Sequence, residues 1–265
     1  MRRAMKLSNS SYAKILLILA LVFNVNACSV LPDIDDETSA WSARQLYDAG
    51  KNALNTADYE TALRYLENLE ARFPYGRYAQ QAQMDIIFAY YKFDEPESAI
   101  AAADRFIKLY PRHPKVDYAY YMRGLASFYQ SMGTLDYLFN LDPSEREVRG
   151  SQEAFHYFST LVKQYPNSDY AADSAQRLVY LHNILAKHEI NIANYYIERG
   201  AYVAAANRAK YVINNYERTP SSIEALIVII KAYRQLGLTD LAHDAFRILQ
   251  LNAPEHPDLA QLKEG

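Results

Sequence analysis

From Ser42 to Asn252 apolar and small residues return at helical spacing, and whole sets of them return together. One set reads Leu46, Ala49, Gly50, Ala53, Ala62, Leu66 and Leu69, and closes on Pro74. The same offsets give Ile86, Ile87, Tyr90, Ala99, Ala103 and Phe106 before Pro111, and Leu226, Ile229, Ile230, Tyr233, Ala242, Phe246 and Leu249 before Pro254. Steps of three and four mark one face of a helix. Two such helices in about 34 residues, small where they touch and ended by proline, make a tetratricopeptide unit. A third set holds Tyr120 and Gly124, then Ala154, Phe158, Leu161 and Pro166. Its two halves are 30 residues apart where the pattern asks for 12, so 18 residues, 133–150, are inserted. The fourth set (Ile192, Ala193, Tyr196, Ala205, Ala209, Val212) is degenerate, with Glu217 in place of the proline. Its first helix extends backward, since no helix breaker falls between Tyr170 and Glu198.

Such units cannot bury an apolar face alone and must stack. The predicted fold is therefore all-α, a right-handed superhelical solenoid of five tetratricopeptide repeats over residues 41–258. The repeats lie at about 43–76, 80–113, 117–168, 170–219 and 223–256, followed by a tail, 259–265. Tyr90, Tyr196 and Tyr233 recur at one repeat position and read as packing residues. No Asn-Gly, Asp-Gly or Gly-Gly hairpin signal interrupts the pattern.

The first 27 residues follow a different pattern. Arg2, Arg3, Lys6 and Lys14 precede nine apolar residues, Ile15 to Phe23, about half of what a bilayer-spanning helix needs and the length of a signal-peptide core. Val25, Asn26 and Ala27 then lead to Cys28, the single cysteine of the chain. One thiol allows neither an internal disulfide nor a cysteine metal cluster. The arrangement resembles a bacterial lipobox, which implies cleavage before Cys28 and lipid on its thiol. Ser29 at the second mature position implies the outer membrane, with the body on its periplasmic face. Residues 28–40 read as a lipidated tether, rich in acid and without aromatics until Trp41.

Charge narrows the function further. Without the leader the chain carries 24 basic and 31 acidic residues, a formal charge of −7, which argues against nucleic acid as partner. The six histidines (His113, His156, His182, His188, His243, His256) show no HExxH spacing, and no Gly-rich phosphate loop is present. Solvated or capping roles suit all six. The sequence offers no catalytic residue, no metal site and no cofactor apart from the expected lipid on Cys28, so a binding scaffold is predicted rather than an enzyme.

Three stretches stand out from the repeat background. RFPYGRYAQQ places Phe73, Tyr75, Arg77 and Tyr78 in the turn between the first two repeats. The insertion carries Leu135, Tyr137, Leu138, Phe139 and Leu141. YYIERGAYVAAANR holds Glu198, Arg199 and Gly200 in a tight turn and Arg208 on the next helix. Arg208 has no carboxylate three or four residues away on its own helix.

With the lipobox and repeats, the strings FPYGRYAQQAQMDIIFAYYK, HPKVDYAYYMRGL, KQYPNSDYAADSAQRLVYL and YYIERGAYVAAANR resemble the BamD family, called ComL in some bacteria. That resemblance implies a lipoprotein of the outer-membrane β-barrel assembly complex. Its implied partners are BamA, the other lipoproteins of the complex and unfolded outer-membrane proteins. It also implies that Arg208 pairs with an acid of BamA's last periplasmic domain, with Glu198 and Arg199 nearby. Phe73, Tyr75, Arg77 and Tyr78 are implicated by position in receiving substrate. Charge reversal at Arg208 is then expected to cost binding and to leave melting unchanged. Two other classes remain open on the sequence. An envelope-division repeat scaffold would lack the insertion and the ERGA turn, and a DNA-uptake lipoprotein fits poorly with the −7 charge.

Overall fold

The computed structural model describes residues 37–131, 142–145 and 147–264. Cys28, the leader and most of the insertion, residues 132–141 and 146, lie outside them. Two units are distinguished, Met1–Trp41 and Ser42–Gly265; in the first, the described residues 37–40 form a turn. The second is helical throughout its described residues, without strands.

Its helices are α1 (Ala43–Asn55), α2 (Tyr59–Arg72), α3 (Arg77–Lys92), α4 (Pro96–Leu109), α5 (Val116–Ser131), α6 (Arg149–Gln164), α7 (Ala171–Glu198), α8 (Tyr202–Asn215), α9 (Ser221–Gln235), α10 (Thr239–Asn252) and α11 (Asp258–Glu264). Each from α1 to α9 packs on the next in the chain, and first helices of adjacent pairs also touch, as in α1–α3, α3–α5 and α7–α9.

Local signals set the ends. Ser42 and Gln45 form a reciprocal capping box at the start of α1, Asp58 accepts from the Thr61 N–H at the start of α2, and Pro96 opens α4. Second helices stop at residues that precede proline and so disfavour α geometry. Phe73, Tyr110, Tyr165 and Ala253 cap them with φ of −131°, −130°, −129° and −143°. Tyr216 adopts the same cap at φ −127° with its N–H on the Val212 carbonyl, although Glu217 follows it. The proline therefore reinforces a stop that the fourth pair makes without it.

Glycine is required where paired helices approach most closely. A Cβ on Gly124 would lie 2.6 Å from the Phe158 ring, and one on Gly50 would lie 2.7 Å from Leu66. Leu46, Leu66, Leu69, Ile87, Phe106, Phe158, Leu161, Ile230 and Leu249 are fully buried along the stack.

The continuous first helix of the fourth pair is present as α7. Its repeat portion receives the end of the insertion, where the 3₁₀ turn Pro143–Glu145 buries Ser144. Ser144's carbonyl accepts from Asn191 and lies 2.8 Å from His188 Nδ1. The described part of the tail is helical. Helix α11 buries Leu262 against the last pair, and Arg234 donates to the Leu262 carbonyl.

Candidate functional site

Surface chemistry concentrates in three places. The first is the face formed by the first helices. Asp85, 9% exposed on α3, accepts from Tyr47 Oη and Lys51 Nζ of α1, both at 3.0 Å. Further along, Tyr121 donates to Asp173 Oδ2 at 2.8 Å, Arg177 Nε donates to the same oxygen at 2.7 Å, and the Tyr121 and Tyr170 rings stack at 4.6 Å. Burial, with Asp173 accepting from its hydroxyl, pushes the Tyr121 phenol up to about 12. Burial and the Asp85 charge raise Tyr47 and Tyr118 well above the ordinary phenol range.

A raised phenol pKa favours the folded state below the unfolded phenol value, about 10, and that stabilisation is lost as pH rises through the folded value. Absorbance at 295 nm should therefore titrate in two stages. Exposed tyrosines ionise near pH 10, and the buried set ionises above it together with loss of helicity. A single transition near pH 10 with helicity intact would contradict these environments.

The second place is the turn after α2, and here the four predicted residues part company. Tyr75 is 89% exposed and lines a groove of about 650 Å³ between the second helices α2 and α4. Leu109, Tyr110, Ile86 and the Glu70–Arg105 ion pair also line it. Gln83 also lines it, donating through Nε2 to Glu70 while its buried Oε1 has no partner. Arg77 instead lies over Tyr78, whose ring packs 5.5 Å from Tyr47 on the first-helix side. Phe73 is half-buried beneath Arg72.

The third place is the α7–α8 hairpin. Arg199 caps α7, and Gly200 follows at φ +71°. Gly200 N–H donates to the Ile197 carbonyl and Ala201 N–H to that of Tyr196, a Schellman closure that favours glycine. Glu198 and Arg199 are exposed, with the Arg199 guanidinium over the Tyr195 ring. Arg208 stands two turns along α8, about 12 Å from that turn at 1.5 Å per residue, so the three residues do not form one cluster.

Arg208 is not without a carboxylate. Its Nη1 donates to Glu189 Oε2 of α7 at 2.8 Å, with side-chain exposures of 43% and 12% respectively. The hydrogen bond and charge of Glu189 raise the guanidinium's already high pKa further. Helical spacing could not reveal this partner, which is 19 residues back on the antiparallel helix. A signal did exist, because Glu189 occupies the fourth position of its repeat, which Leu46 fills in the first repeat and Leu226 in the last. The pair also corrects one expectation. Reversing the charge at Arg208 would set two carboxylates against each other beside a buried helix face, so melting would not stay unchanged.

Other candidates have structural occupations. His113 and His256 accept the backbone N–H groups of Lys115 and Asp258, and His182 packs on Phe155 and Tyr216. Among the described residues no group of histidines, cysteines and carboxylates has metal-binding geometry, and no helix is long and apolar enough to cross a membrane.

Paired helices in register, with polar and aromatic surfaces between and beside them, define a helical-repeat scaffold of the tetratricopeptide type. Its sequence matches, over residues 39–248, the family model YfiO, described as outer membrane lipoprotein. An outer membrane protein assembly factor BamD from Neisseria meningitidis serogroup B is 42% identical over 251 residues, covering 94% of each chain. The BamD of Vibrio cholerae is 38% identical, covering 89% of this chain and 96% of its own, and that of Haemophilus influenzae is 33% identical, covering 93% and 96%. The chain belongs to the BamD family of outer-membrane protein assembly factors.

Proposed function

We propose that the chain is a non-enzymatic scaffold of the β-barrel assembly machinery, held on the periplasmic face of the outer membrane by lipid on Cys28. In this reading the α7–α8 hairpin binds the periplasmic domains of BamA, and the N-terminal repeats receive unfolded outer-membrane proteins. The observation that carries it is the patch on α8, where Arg208 stands beside Tyr211, itself 45% exposed, and the pair of residues is three apart on one helical face. Exposed arginine next to exposed tyrosine is the composition of interface hot spots. Of the four turn residues, Tyr75 suits substrate best, because it rims an apolar groove with exposed Leu109.

Purifying the lipidated chain from outer membranes and identifying what accompanies it tests the reading. BamA and smaller lipoproteins should co-purify, whereas a division or peptidoglycan complex would replace this proposal. The anchor has its own test. Several acyl chains at about 0.8 kcal/mol per buried CH₂ attach a protein lastingly, so Cys28→Ala should yield a soluble or uncleaved chain that takes up no labelled palmitate. Wild-type chain that also incorporates none would mean that no lipid anchors it.

A further inference from the structure

Glu189 is a charged side chain at a position that leucine fills in the first and last repeats and neutral Gln83 and Tyr120 fill in the second and third. Its side chain is only 12% exposed, and Arg208 is the cation that meets its carboxylate. Ion pairs of this kind often contribute no more stability than apolar residues of the same volume. Leu46 and Leu226, buried at the equivalent positions, are that apolar alternative within the same chain. Packing alone therefore gives no reason for a glutamate here.

The geometry of Arg208 supplies one. A guanidinium has five N–H donors in a rigid fork, and one carboxylate engages at most two of them. Glu189 takes Nη1 from the α7 side, while 43% of the arginine side chain stays exposed alongside Tyr211 and near Tyr196. Resting on the reading that Arg208 meets a partner's carboxylate, we propose that Glu189 is a positioning residue. It holds one edge of the guanidinium so that the other edge is presented, already oriented, to a carboxylate on the partner. Glu189 does not compete for the arginine, because releasing Arg208 would leave a buried carboxylate unpaired, which is strongly unfavourable. The partner's acid instead completes a carboxylate–guanidinium–carboxylate bridge. Pre-setting a flexible side chain avoids its ordering cost on association, worth about three- to tenfold in affinity.

Glu189→Leu separates presentation from stability, since it installs the leucine of the first and last repeats and frees the arginine. Calorimetric titration with the purified periplasmic region of BamA should show affinity lowered about three- to tenfold, with melting unchanged or raised. In an Arg208→Gln background the same substitution should change affinity no further. The reversed pair, Glu189→Arg with Arg208→Glu, should recover melting lost in Arg208→Glu alone, yet bind no better than Arg208→Gln. Should Glu189→Leu fail to fold, isosteric Glu189→Gln is the second variant, and it too should weaken binding. Wild-type or tighter binding in these Glu189 variants, with Arg208→Gln still weakened, overturns the positioning role. Wild-type binding by Arg208→Gln overturns the Arg208 reading on which that role rests.

Discussion

Gly124→Leu should destabilise the third repeat severely and lower the melting temperature of the whole stack. Gly124 is buried in α5 and faces Phe158 of α6, where even one added carbon would come within 2.6 Å of the ring. Phe158 has nowhere to retreat. It is fully buried, its ring also meets Phe128 and Tyr121, and Arg177 lies over it. Overpacking a filled core commonly costs about 1–3 kcal/mol, and four extra carbons against an immobile ring put the change at the upper end. Because each repeat buries its neighbours' faces, the loss should appear in thermal unfolding followed by circular dichroism. An unchanged melting curve would mean that α5 and α6 do not meet in this register.

The second large effect concerns binding. Arg208→Gln should weaken association with the periplasmic region of BamA at least about tenfold, since truncating one member of an interfacial charge pair commonly costs ~2–5 kcal/mol. Glutamine is the better probe than glutamate. It keeps a donor near Glu189, whereas Arg208→Glu would add a second carboxylate beside a side chain only 12% exposed. Both variants should thus lose binding and some stability, Arg208→Glu losing more, because glutamine leaves the buried Glu189 charge without a cation but adds no second charge beside it. A matching reversal of the partner's acid should rescue Arg208→Glu in binding but leave its lowered melting temperature as it is.

How much of this was readable in the residues depended on whether the signal was local. Pro74, Pro111, Pro166 and Pro254, together with Gly50, Gly124 and Ala154, gave away the helix pairs, because each acts through its own backbone or its nearest packing neighbour. The long run before Glu198 read correctly as α7 for the same reason. Glu217 in place of proline did not hide the fourth pair, and Tyr216 caps α8 without help from proline.

The polar contacts between helices were far less legible. Lys51 and Asp85 are 34 residues apart, one repeat length, and Arg208 and Glu189 are 19 apart across a hairpin; neither spacing falls within a helical window. Both acids interrupt otherwise apolar helix faces, and that interruption was the available clue. Phe73, Tyr75, Arg77 and Tyr78 are neighbours in sequence but not in space. The chain reverses there, with Gly76 at φ +100°, and Tyr75 and Tyr78 end on different sides of the stack.

Binding of BamA through the exposed face of α8 is tested most directly by one titration. The chain from residue 37 onward, wild type beside Arg208→Gln, is titrated with the purified BamA periplasmic region. The wild type should form a saturable complex, and the variant should bind with an affinity lower by at least about tenfold, with equal helicity in both. Equal affinity in the two proteins, or no complex with either while both remain folded, would contradict binding through α8.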